Sequence, residues 1–245
     1  MKSKTTKVVL AILAVLLLLL AAGEFALRTT VSNQIKSSMG EEASISFGAT
    51  PLMSSLITKN VPHVEISSPS TIAIQESNPP QISGNPEVHI SITDLDISNP
   101  EAAIASHMEM RPVLDRQYLL ATIQQSLTPH EQADEGYLQS VLQAIIQVTD
   151  LQPVAHEGVL RVEFSGGAGT LDLRPVVVDE GLGFEATNVS LMGFDLPGVV
   201  ADGLTQGLRG QAQQLGAGLE VRQASVTDEG MELVLVGSQV DLSAL

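Results

Sequence analysis

Apolar and polar positions follow two different periods in the C-terminal part of the chain. Residues 182–193 alternate as in a strand, whereas aliphatic residues recur every four positions within 195–215, as on one face of a helix. Two further alternating segments, Leu219–Val226 and Met231–Leu242, flank a Thr-Asp-Glu-Gly sequence typical of a hairpin turn. The pattern therefore predicts a strand, a helix and a β-hairpin. The aliphatic face of the helix comprises Val200, Leu204 and Leu208.

The same helical spacing predicts helices nearer the N-terminus. The most regular stripe lies within Tyr137–Val148, where five aliphatic residues follow the i, i+3, i+4, i+7, i+8 spacing of a core-facing helix. Pro51 opens a short helical segment. Weaker patterns predict helices over Glu24–Ser38, 100–107 and 118–127, the last with Gln124, Gln125 and Ser126 on its polar side. The predicted stripes comprise Leu138, Val141, Leu142, Ile145 and Ile146 in the long helix, and Leu52, Leu56 and Ile57 in the short one.

Period-two alternation predicts strands between these helices. The clearest strand contains Val88, Ile90 and Ile92 on one face, and its pattern slips near Asp94, as at a β-bulge. Residues 76–86 are rich in Asn, Pro, Ser and Gly and are predicted to form an exposed loop. Other predicted strands lie near residues 45–47, within 61–75, and at 159–165 and 170–178, the last two joined by a glycine-rich hairpin loop.

These elements predict an α+β fold in which a long, curved, mostly antiparallel sheet wraps around amphipathic helices. A basic segment, residues 1–7, and an unbroken apolar run, residues 8–22, precede it. A helix over that run would be about 22 Å long, shorter than a hydrocarbon core of roughly 30 Å. We therefore expect a signal peptide or membrane anchor over 1–23, an exported protein, and a single domain over 24–245.

Charge and side-chain chemistry narrow the range of functions. The net charge of −16 argues against nucleic acid as a partner, and the absence of cysteine excludes disulfides and thiolate chemistry. The five histidines have no metal-binding spacing, and no nucleophile motif is present, so neither a cofactor nor an enzymatic activity is expected. Basic residues are rare; Arg161 and Arg174, in predicted strands, could bind a phosphate or, as we favour, pair with carboxylates on neighbouring strands.

The C-terminal segment resembles a known family. Phe194 to Pro197, the following helix to Leu215, the Gly-Leu-Glu-Val at 218–221 and the Thr-Asp-Glu-Gly-Met-Glu-Leu at 227–233 resemble the LmeA-like phospholipid-binding proteins of actinobacterial envelopes. The resemblance extends more weakly back to about Glu24. It implies an extracytoplasmic, tubular lipid-binding domain whose ligands are phospholipids such as phosphatidylinositol, with a role in mannolipid assembly.

With this resemblance, the sequence predicts a non-enzymatic protein that holds or transfers membrane phospholipid in an aliphatic cavity. An uncleaved N-terminal segment would attach it to the membrane, and an envelope glycosyltransferase would be a partner. The alternative is a scaffold with a dry core that stabilises a membrane enzyme through protein contacts; a lipid hydrolase ranks third. Leu52, Leu56 and Ile57 would be either core residues, as we favour, or a lid over one end of the cavity. The predicted lipid-contacting residues are Leu52, Leu56, Leu138, Leu142, Ile145, Ile146, Val200, Leu204 and Leu208.

Overall fold

The computed structural model describes residues 23–26, 28–30, 32–33, 42–99, 102–126, 147–178, 180–191 and 219–242. The described residues between 23 and 33 are helical, as predicted for the segment that begins at Glu24. Two further helices and twelve strands follow within the described ranges. The helices are α1 (Leu52–Thr58) and α2 (Arg116–Ser126). The strands are β1 (Ser44–Ser46), β2 (Asn60–Ser68), β3 (Ala73–Gln75), β4 (Gln81–Ser83), β5 (Glu87–Asp96), β6 (Ile104–Asp115), β7 (Val148–Val154), β8 (Val159–Phe164), β9 (Gly169–Val178), β10 (Gly181–Leu191), β11 (Glu220–Val226) and β12 (Gly230–Asp241).

The fold is α+β and mostly antiparallel, as the sequence predicts. The described strands form three sheets rather than one long sheet: a six-stranded sheet in the order β1-β2-β5-β6-β12-β11, a four-stranded sheet in the order β10-β9-β8-β7, and the β3–β4 hairpin. A long curved sheet wrapped around the helices therefore stays a prediction. Local alternation predicts strands, but it carries no information about which strands pair.

The chain divides into two compact units. The first contains Met1–Ser68, Ile90–Met108 and Ser238–Leu245, and the second contains Pro69–His89 and Glu109–Gly237. The two units are distinguished by the contacts within each of them, and a unit of this kind need not fold on its own. The single domain over 24–245 therefore stays a prediction.

The four-stranded sheet of the second unit separates apolar from polar side chains between its two faces. Leu151, Val162 and Leu171 lie in register across three strands, and all three are fully buried. On the opposite face, Arg161 and Asp172 are register partners. Because successive side chains of a strand point to opposite faces, the sequence alternation produces one dry face and one polar face.

The C-terminal hairpin confirms the prediction made from its turn. Val226 pairs with Met231, and Thr227 N donates a hydrogen bond to Gly230 O at 2.9 Å. A side chain at Gly230 would overlap the carbonyl of Leu114, so this position requires glycine. The register shifts between Val221 and Gln223, which makes Arg222 the extra residue of a β-bulge.

Strand β5 also has the predicted pattern. Ile90 and Ile92 are buried, and Asp94, where the alternation slips, has a positive φ of 53°. A non-glycine residue rarely adopts this conformation, and an irregular strand position is one of the places where it occurs. The structure therefore confirms both the strand and its irregularity.

Three sequence predictions are wrong at the level of secondary structure. Residues 104–107, predicted as helical, begin strand β6, where Ala105 and Met108 are buried. The predicted loop over 76–86 contains strand β4, and the helix predicted to run to Val148 cannot extend that far because Val148 begins β7. In each case strand pairing overrides a weak local preference for helix or loop. Residues 137–146 and the C-terminal helix predicted over 195–215 lie outside the described residues.

Candidate functional site

An open groove in the second unit lies between helix α2 and the β3–β4 hairpin. Asp115 Oδ1 accepts a hydrogen bond from Tyr118 N at 2.7 Å and caps the first turn of α2. Near the other end of the helix, Gln125 Nε2 donates to Pro80 O at 2.7 Å. These contacts fix the start of the helix and attach its last turn to the hairpin, so the two elements form the two walls of the groove.

The base of the hairpin is closed by backbone and side-chain hydrogen bonds. Thr71 N donates to Asn85 O at 2.9 Å, and Asn85 N donates to Thr71 Oγ1 at 3.0 Å. Gly84 has a φ of 82°, and a side chain there would overlap the carbonyl of Thr71. Glycine is therefore required for this closure. The hairpin wall has a defined conformation although each of its strands has only three residues.

The groove has a volume of about 610 Å³, within the range of about 300–1,000 Å³ that is usual for small-molecule sites. Its aliphatic surface comes from Ile74, Leu120 and Ala121, and its polar surface carries amide, hydroxyl and carboxylate groups. None of the described lining residues is basic. The polar lining residues are Glu76, Ser77, Asn78, Gln117 and Gln124.

This lining favours an apolar or neutral polar ligand group over an anion. Aliphatic side chains bind hydrocarbon by burial, and amides can both donate and accept hydrogen bonds. Glu76 would repel a phosphate placed beside it, and no cation of the lining offsets that repulsion. The groove is therefore suited to part of an acyl chain or to an uncharged polar group.

The glutamines of α2 have a different role from the one that the sequence predicts. Gln124 Nε2 donates to Val148 O at 2.9 Å, and Gln125 bonds Pro80 O as described above. Both side chains are half-buried rather than fully in water. Helical spacing places these residues on a polar side, but it cannot show that the polar side faces protein carbonyl groups. The contacts of these two glutamines therefore identify α2 as one wall of the groove.

Arg161 pairs with carboxylates on the polar face of the four-stranded sheet. Its Nε and Nη2 donate to Asp172 Oδ1 and Oδ2 at 2.8 and 3.0 Å, and Nη2 also lies 3.3 Å from Glu157 Oε2. Asn188 Nδ2 donates to Asp172 Oδ2 at 2.9 Å. The favoured interpretation of Arg161 as a cross-strand pair is confirmed, and two of its three guanidinium nitrogens already bond carboxylates.

The ionisation of this pair follows from its hydrogen bonds. Burial of Asp172, which is 1% exposed, acts to raise its pKa, but the bonds from Arg161 and Asn188 outweigh burial and lower the pKa below its ordinary value. The same contact with Asp172 raises the pKa of Arg161. Both groups therefore remain charged near neutral pH. Arg174 is exposed and lies in register with Glu185, which makes it the more accessible of the two arginines singled out from the sequence.

In the first unit, the N-terminal helical residues are attached to the start of α1. Glu24 Oε1 and Oε2 accept hydrogen bonds from Leu52 N and Met53 N at 2.7 and 3.0 Å. Arg28 Nε donates to Glu24 Oε1 at 2.7 Å, and Arg28 also reaches the carbonyls of Gly48 and Thr50 at 3.2 and 3.0 Å. The residue before α1 is Pro51, which makes no side-chain cap. Glu24 supplies the missing cap from a distant part of the chain.

The hydrogen bonds also determine the charge of Glu24. Burial acts to raise the pKa of Glu24, but the bonds from Leu52 N, Arg28 and Met53 N together outweigh it and lower the pKa. The carboxylate is therefore ionised at neutral pH. A negative charge at the start of a helix is favourable because the helix dipole is positive there. We call Glu24, Arg28 and the amides of Leu52 and Met53 the N-terminal clamp.

Helix α1 buries a polar residue and exposes an apolar one. Leu52 and Ser55 are 7% and 3% exposed, whereas Ile57 is 86% exposed. Among the described residues, the buried Ser55 Oγ has no hydrogen-bond partner. The sequence leaves two interpretations of these residues, core packing and a lid over a cavity. Core packing is correct for the buried Leu52 and wrong for the exposed Ile57.

The predicted lipid-contacting residues are only partly described. Leu52 begins α1 and is buried, and Leu56 lies in α1 with a side chain outside the described set. The other seven, Leu138, Leu142, Ile145, Ile146, Val200, Leu204 and Leu208, lie outside the described residues. The groove residues were missed because residues 74–80 and 117–124 meet only in three dimensions. One wall of the groove could have been found from the sequence. Ile74 and Ile82 each lie in a short alternating segment, and the two segments flank Pro79 and Pro80 as the strands of a hairpin would.

The histidines and possible metal ligands in the described part of the chain form no further candidate site. His63, His89 and His156 each lie 3.1–3.4 Å from a nearby glutamate on the surface. No group of three potential metal ligands occurs among the described side chains. No helix within the described ranges is long and apolar enough to cross a membrane.

An α+β protein with an open groove of this size and mixed lining has the architecture of a ligand-binding protein. Residues 19–235 match the sequence profile of the LmeA-like phospholipid-binding family, so the chain belongs to that family. The match confirms the resemblance found in the C-terminal motifs and extends it over most of the chain. No curated protein matches the chain. No solved structure matches it either.

Proposed function

We propose that this protein binds a membrane phospholipid outside the cytoplasm and holds or transfers it. The observation that carries the proposal is membership of the phospholipid-binding family over residues 19–235. The aliphatic and amide lining of the α2 groove supports it, because a lipid needs both apolar burial and hydrogen bonds at its polar end. No part of the proposal requires catalysis.

The groove would accommodate one part of a phospholipid. Its volume of about 610 Å³ is at the scale of a small-molecule site, and a two-chain lipid needs further apolar surface. We propose that this surface comes from the aliphatic helical stripes of the sequence, which are amphipathic and free of charge on one face. The residues concerned are Leu138, Leu142, Ile145, Ile146, Val200, Leu204 and Leu208.

Phosphate recognition would not use Arg161, because Asp172 and Glu157 already occupy its guanidinium. The groove has no basic lining residue among those described, and the protein as a whole is acidic. Binding would therefore be driven by burial of acyl chains, with neutral head-group atoms bonded by Asn78, Gln117 or Gln124. An inositol ring is a head group of this hydroxyl-rich kind.

We propose a location outside the cytoplasm and partners in the envelope on the basis of the N-terminal sequence and the family resemblance. The basic segment and apolar run at 1–22 support export, with the run either removed as a signal peptide or kept as an anchor. In the envelope, the protein would supply or hold phospholipid for mannolipid assembly. A membrane glycosyltransferase that consumes such a lipid is the proposed protein partner.

A groove-filling variant tests the site. Gln117 is exposed at the groove wall, so Gln117→Trp should fill the groove without disturbing the core. Gln223→Trp, at an exposed position on β11 that is not among the groove residues, is the matched control. Binding of a fluorescent phosphatidylinositol analogue to the full chain should weaken at least severalfold for Gln117→Trp and stay unchanged for Gln223→Trp. Equal binding by both variants would contradict the groove assignment.

A second candidate function is the dry scaffold. The observation that favours it is the apolar face of the four-stranded sheet, where Leu160, Val162 and Leu173 are fully buried by the protein itself. A core of this kind needs no lipid to be stable. Phospholipid that copurifies with the protein at a defined stoichiometry distinguishes the two functions, because a scaffold would carry none.

A further inference from the structure

The two walls of the groove are attached to the second unit in different ways. Helix α2 is held by strand β7 at both of its ends, because Arg116 bonds Asp150 and Gln124 Nε2 donates to Val148 O at 2.9 Å. The side chain of Ile123, on the same helix, is fully buried. Moving α2 would break these contacts and uncover core residues. The helix is therefore the fixed wall of the groove.

The β3–β4 hairpin is attached by far fewer contacts. Its two strands pair with each other and form a sheet of their own. The hairpin and its closed base, residues 71–85, connect to β2 and β5 through residues 69–70 and residue 86. Within the described part of the unit, the one hydrogen bond from residues 71–85 to another helix or strand is the bond from Gln125 Nε2 to Pro80 O. A pair of short strands alone is marginally stable, so the position of the hairpin depends on its contacts with α2.

The apolar contact between the two walls is only partly closed. Ile74 lines the groove, and its register partner Ile82 projects on the same side of the hairpin. Both side chains are half-buried, as is Leu120 on the facing helix. The other side of the hairpin carries the exposed Gln75 and Gln81. A shift of the hairpin away from α2 would therefore expose an aliphatic surface without breaking any described strand pairing.

We propose that residues 71–85 form a hinged wall that opens and closes the groove against α2, with Gln125 as its latch. The hinged wall would turn about its connections at residues 69–70 and 86. Opening breaks the bond between Gln125 and Pro80 and admits an aliphatic chain between Ile74 and Leu120. Closing restores the bond and covers the chain. Lids over ligand sites are commonly elements of low local stability, and the β3–β4 hairpin is such an element.

The inference deepens the proposed function and rests on it for the identity of the ligand, because the groove is the same one. The motion of the hinged wall is a property of the protein and can be measured without added lipid. The latch has a kinetic consequence that a ligand contact lacks. Because it is present in the closed state with and without ligand, its loss should raise the association and dissociation rates of the ligand together. Loss of a ligand contact mainly raises the dissociation rate.

Two substitutions at Gln125 separate the latch from the size of the side chain. Gln125→Glu keeps the size but removes the N–H that donates to Pro80 O. Gln125→Lys keeps a donor of similar reach and is the matched control. Opening of the hinged wall is followed by the rate at which a bulky maleimide labels Ile82→Cys in the full chain. The chain has no cysteine of its own, so each labelled variant carries a single thiol.

We expect Gln125→Glu to accelerate the labelling of Ile82→Cys by roughly three- to tenfold, the factor expected for the loss of one hydrogen bond. Gln125→Lys should leave the labelling rate near that of the parent. Val162→Cys, at a fully buried position of the four-stranded sheet, should stay unreactive in both backgrounds. Equal labelling of Ile82→Cys with Glu or Gln at position 125 would overturn the proposal. Acceleration at Val162→Cys would also overturn it, because the whole unit would then be opening.

Stopped-flow binding of a fluorescent phosphatidylinositol analogue tests the link to the ligand. Gln125→Glu should raise the association and dissociation rates by similar factors and change the Kd little, whereas Gln125→Lys should change neither rate. Faster dissociation alone would show that Gln125 supports a static wall and would contradict the latch. If the parent protein binds no analogue while Gln125→Glu still accelerates labelling at Ile82→Cys, the proposed function fails and the hinged wall stands.

Discussion

Helices α1 and α2 are both short, but they use their surfaces differently. Helix α2 is capped by its own flanking Asp115, buries Leu119 and Ile123, and satisfies protein carbonyls with Gln124 and Gln125. Helix α1 has no local side-chain cap, takes its cap from Glu24, and leaves Ile57 exposed. Helix α2 is held by contacts within its own unit. Helix α1 takes its cap from the N-terminal helical residues, and its exposed side carries Ile57 together with the polar Ser54 and Thr58.

The difference indicates which features serve folding and which serve binding. Burial explains Leu119 and Ile123 of α2, while Gln117 on the same helix is exposed at the groove wall. Burial cannot explain Ile57, because a polar residue at that position would cost the fold nothing. A single exposed apolar residue is common on protein surfaces, so the stability of α1 rather than a partner is what Ile57 can be used to test.

The largest expected effect is on the buried side of α2. Ile123 is fully buried, so Ile123→Ala should lower the free energy of unfolding by about 2–5 kcal/mol, through lost burial and a residual cavity. Ile57→Ala should change it by less than about 0.5 kcal/mol, as expected for an exposed position. Urea denaturation of both variants measures the difference. Similar losses for the two would contradict the contrast between the helices.

A smaller effect is expected at the buried carboxylate of the four-stranded sheet. Asp172→Ala removes the partner of Arg161 and should lower the free energy of unfolding by about 1–3 kcal/mol, because hydrogen bonds to a charged acceptor are lost. Glu185→Ala, an exposed acidic residue on the neighbouring strand, is the control and should be nearly neutral. An Asp172→Ala variant as stable as wild type would show that the pair contributes nothing net.

The same pair predicts a dependence of stability on pH. The folded pKa of Asp172 is lower than its unfolded value, so its contribution is present above the unfolded pKa and is lost as pH falls through the folded pKa. Asp172→Asn removes this titration. Denaturation of wild type and variant at several acidic pH values should therefore show the wild type losing its advantage as pH falls. A constant difference across that range would contradict a lowered pKa at Asp172.

The smallest effect is expected at the N-terminal clamp. Glu24→Gln removes the charge that caps α1 and should destabilise that helix by about 1 kcal/mol, the usual value of a helix cap. Hydrogen exchange of the Leu52 and Met53 amides should become faster, while exchange in α2 should not change. Glu42→Gln, at another exposed glutamate near the N-terminus, serves as control. Unchanged exchange at Leu52 and Met53 would show that Glu24 is not their protecting acceptor.

Much of the strand framework could be predicted from local sequence. Strands β8 to β12 follow from alternation bounded by turn residues, and the Arg161–Asp172 pair follows from charge on facing strands. Strands β4, β6 and β7 were missed because pairing partners far apart in the chain stabilise them, and no local pattern contains that information.

The site was less predictable than the fold. The groove is formed by residues about forty positions apart, so no motif marks it. The exposure of Ile57 depends on which side of α1 packs, and the aliphatic spacing alone predicted the opposite. The family, by contrast, could be recognised from the C-terminal motifs, because they are contiguous in sequence.

The central claim is that this protein carries phospholipid. Native mass spectrometry with lipid extraction, on the full chain purified from a host with a cell envelope, tests it most directly. We predict a bound phospholipid at a defined stoichiometry, reduced in Gln117→Trp and retained in Gln223→Trp. A protein that remains empty after incubation with phospholipid vesicles would contradict the claim and favour the dry scaffold.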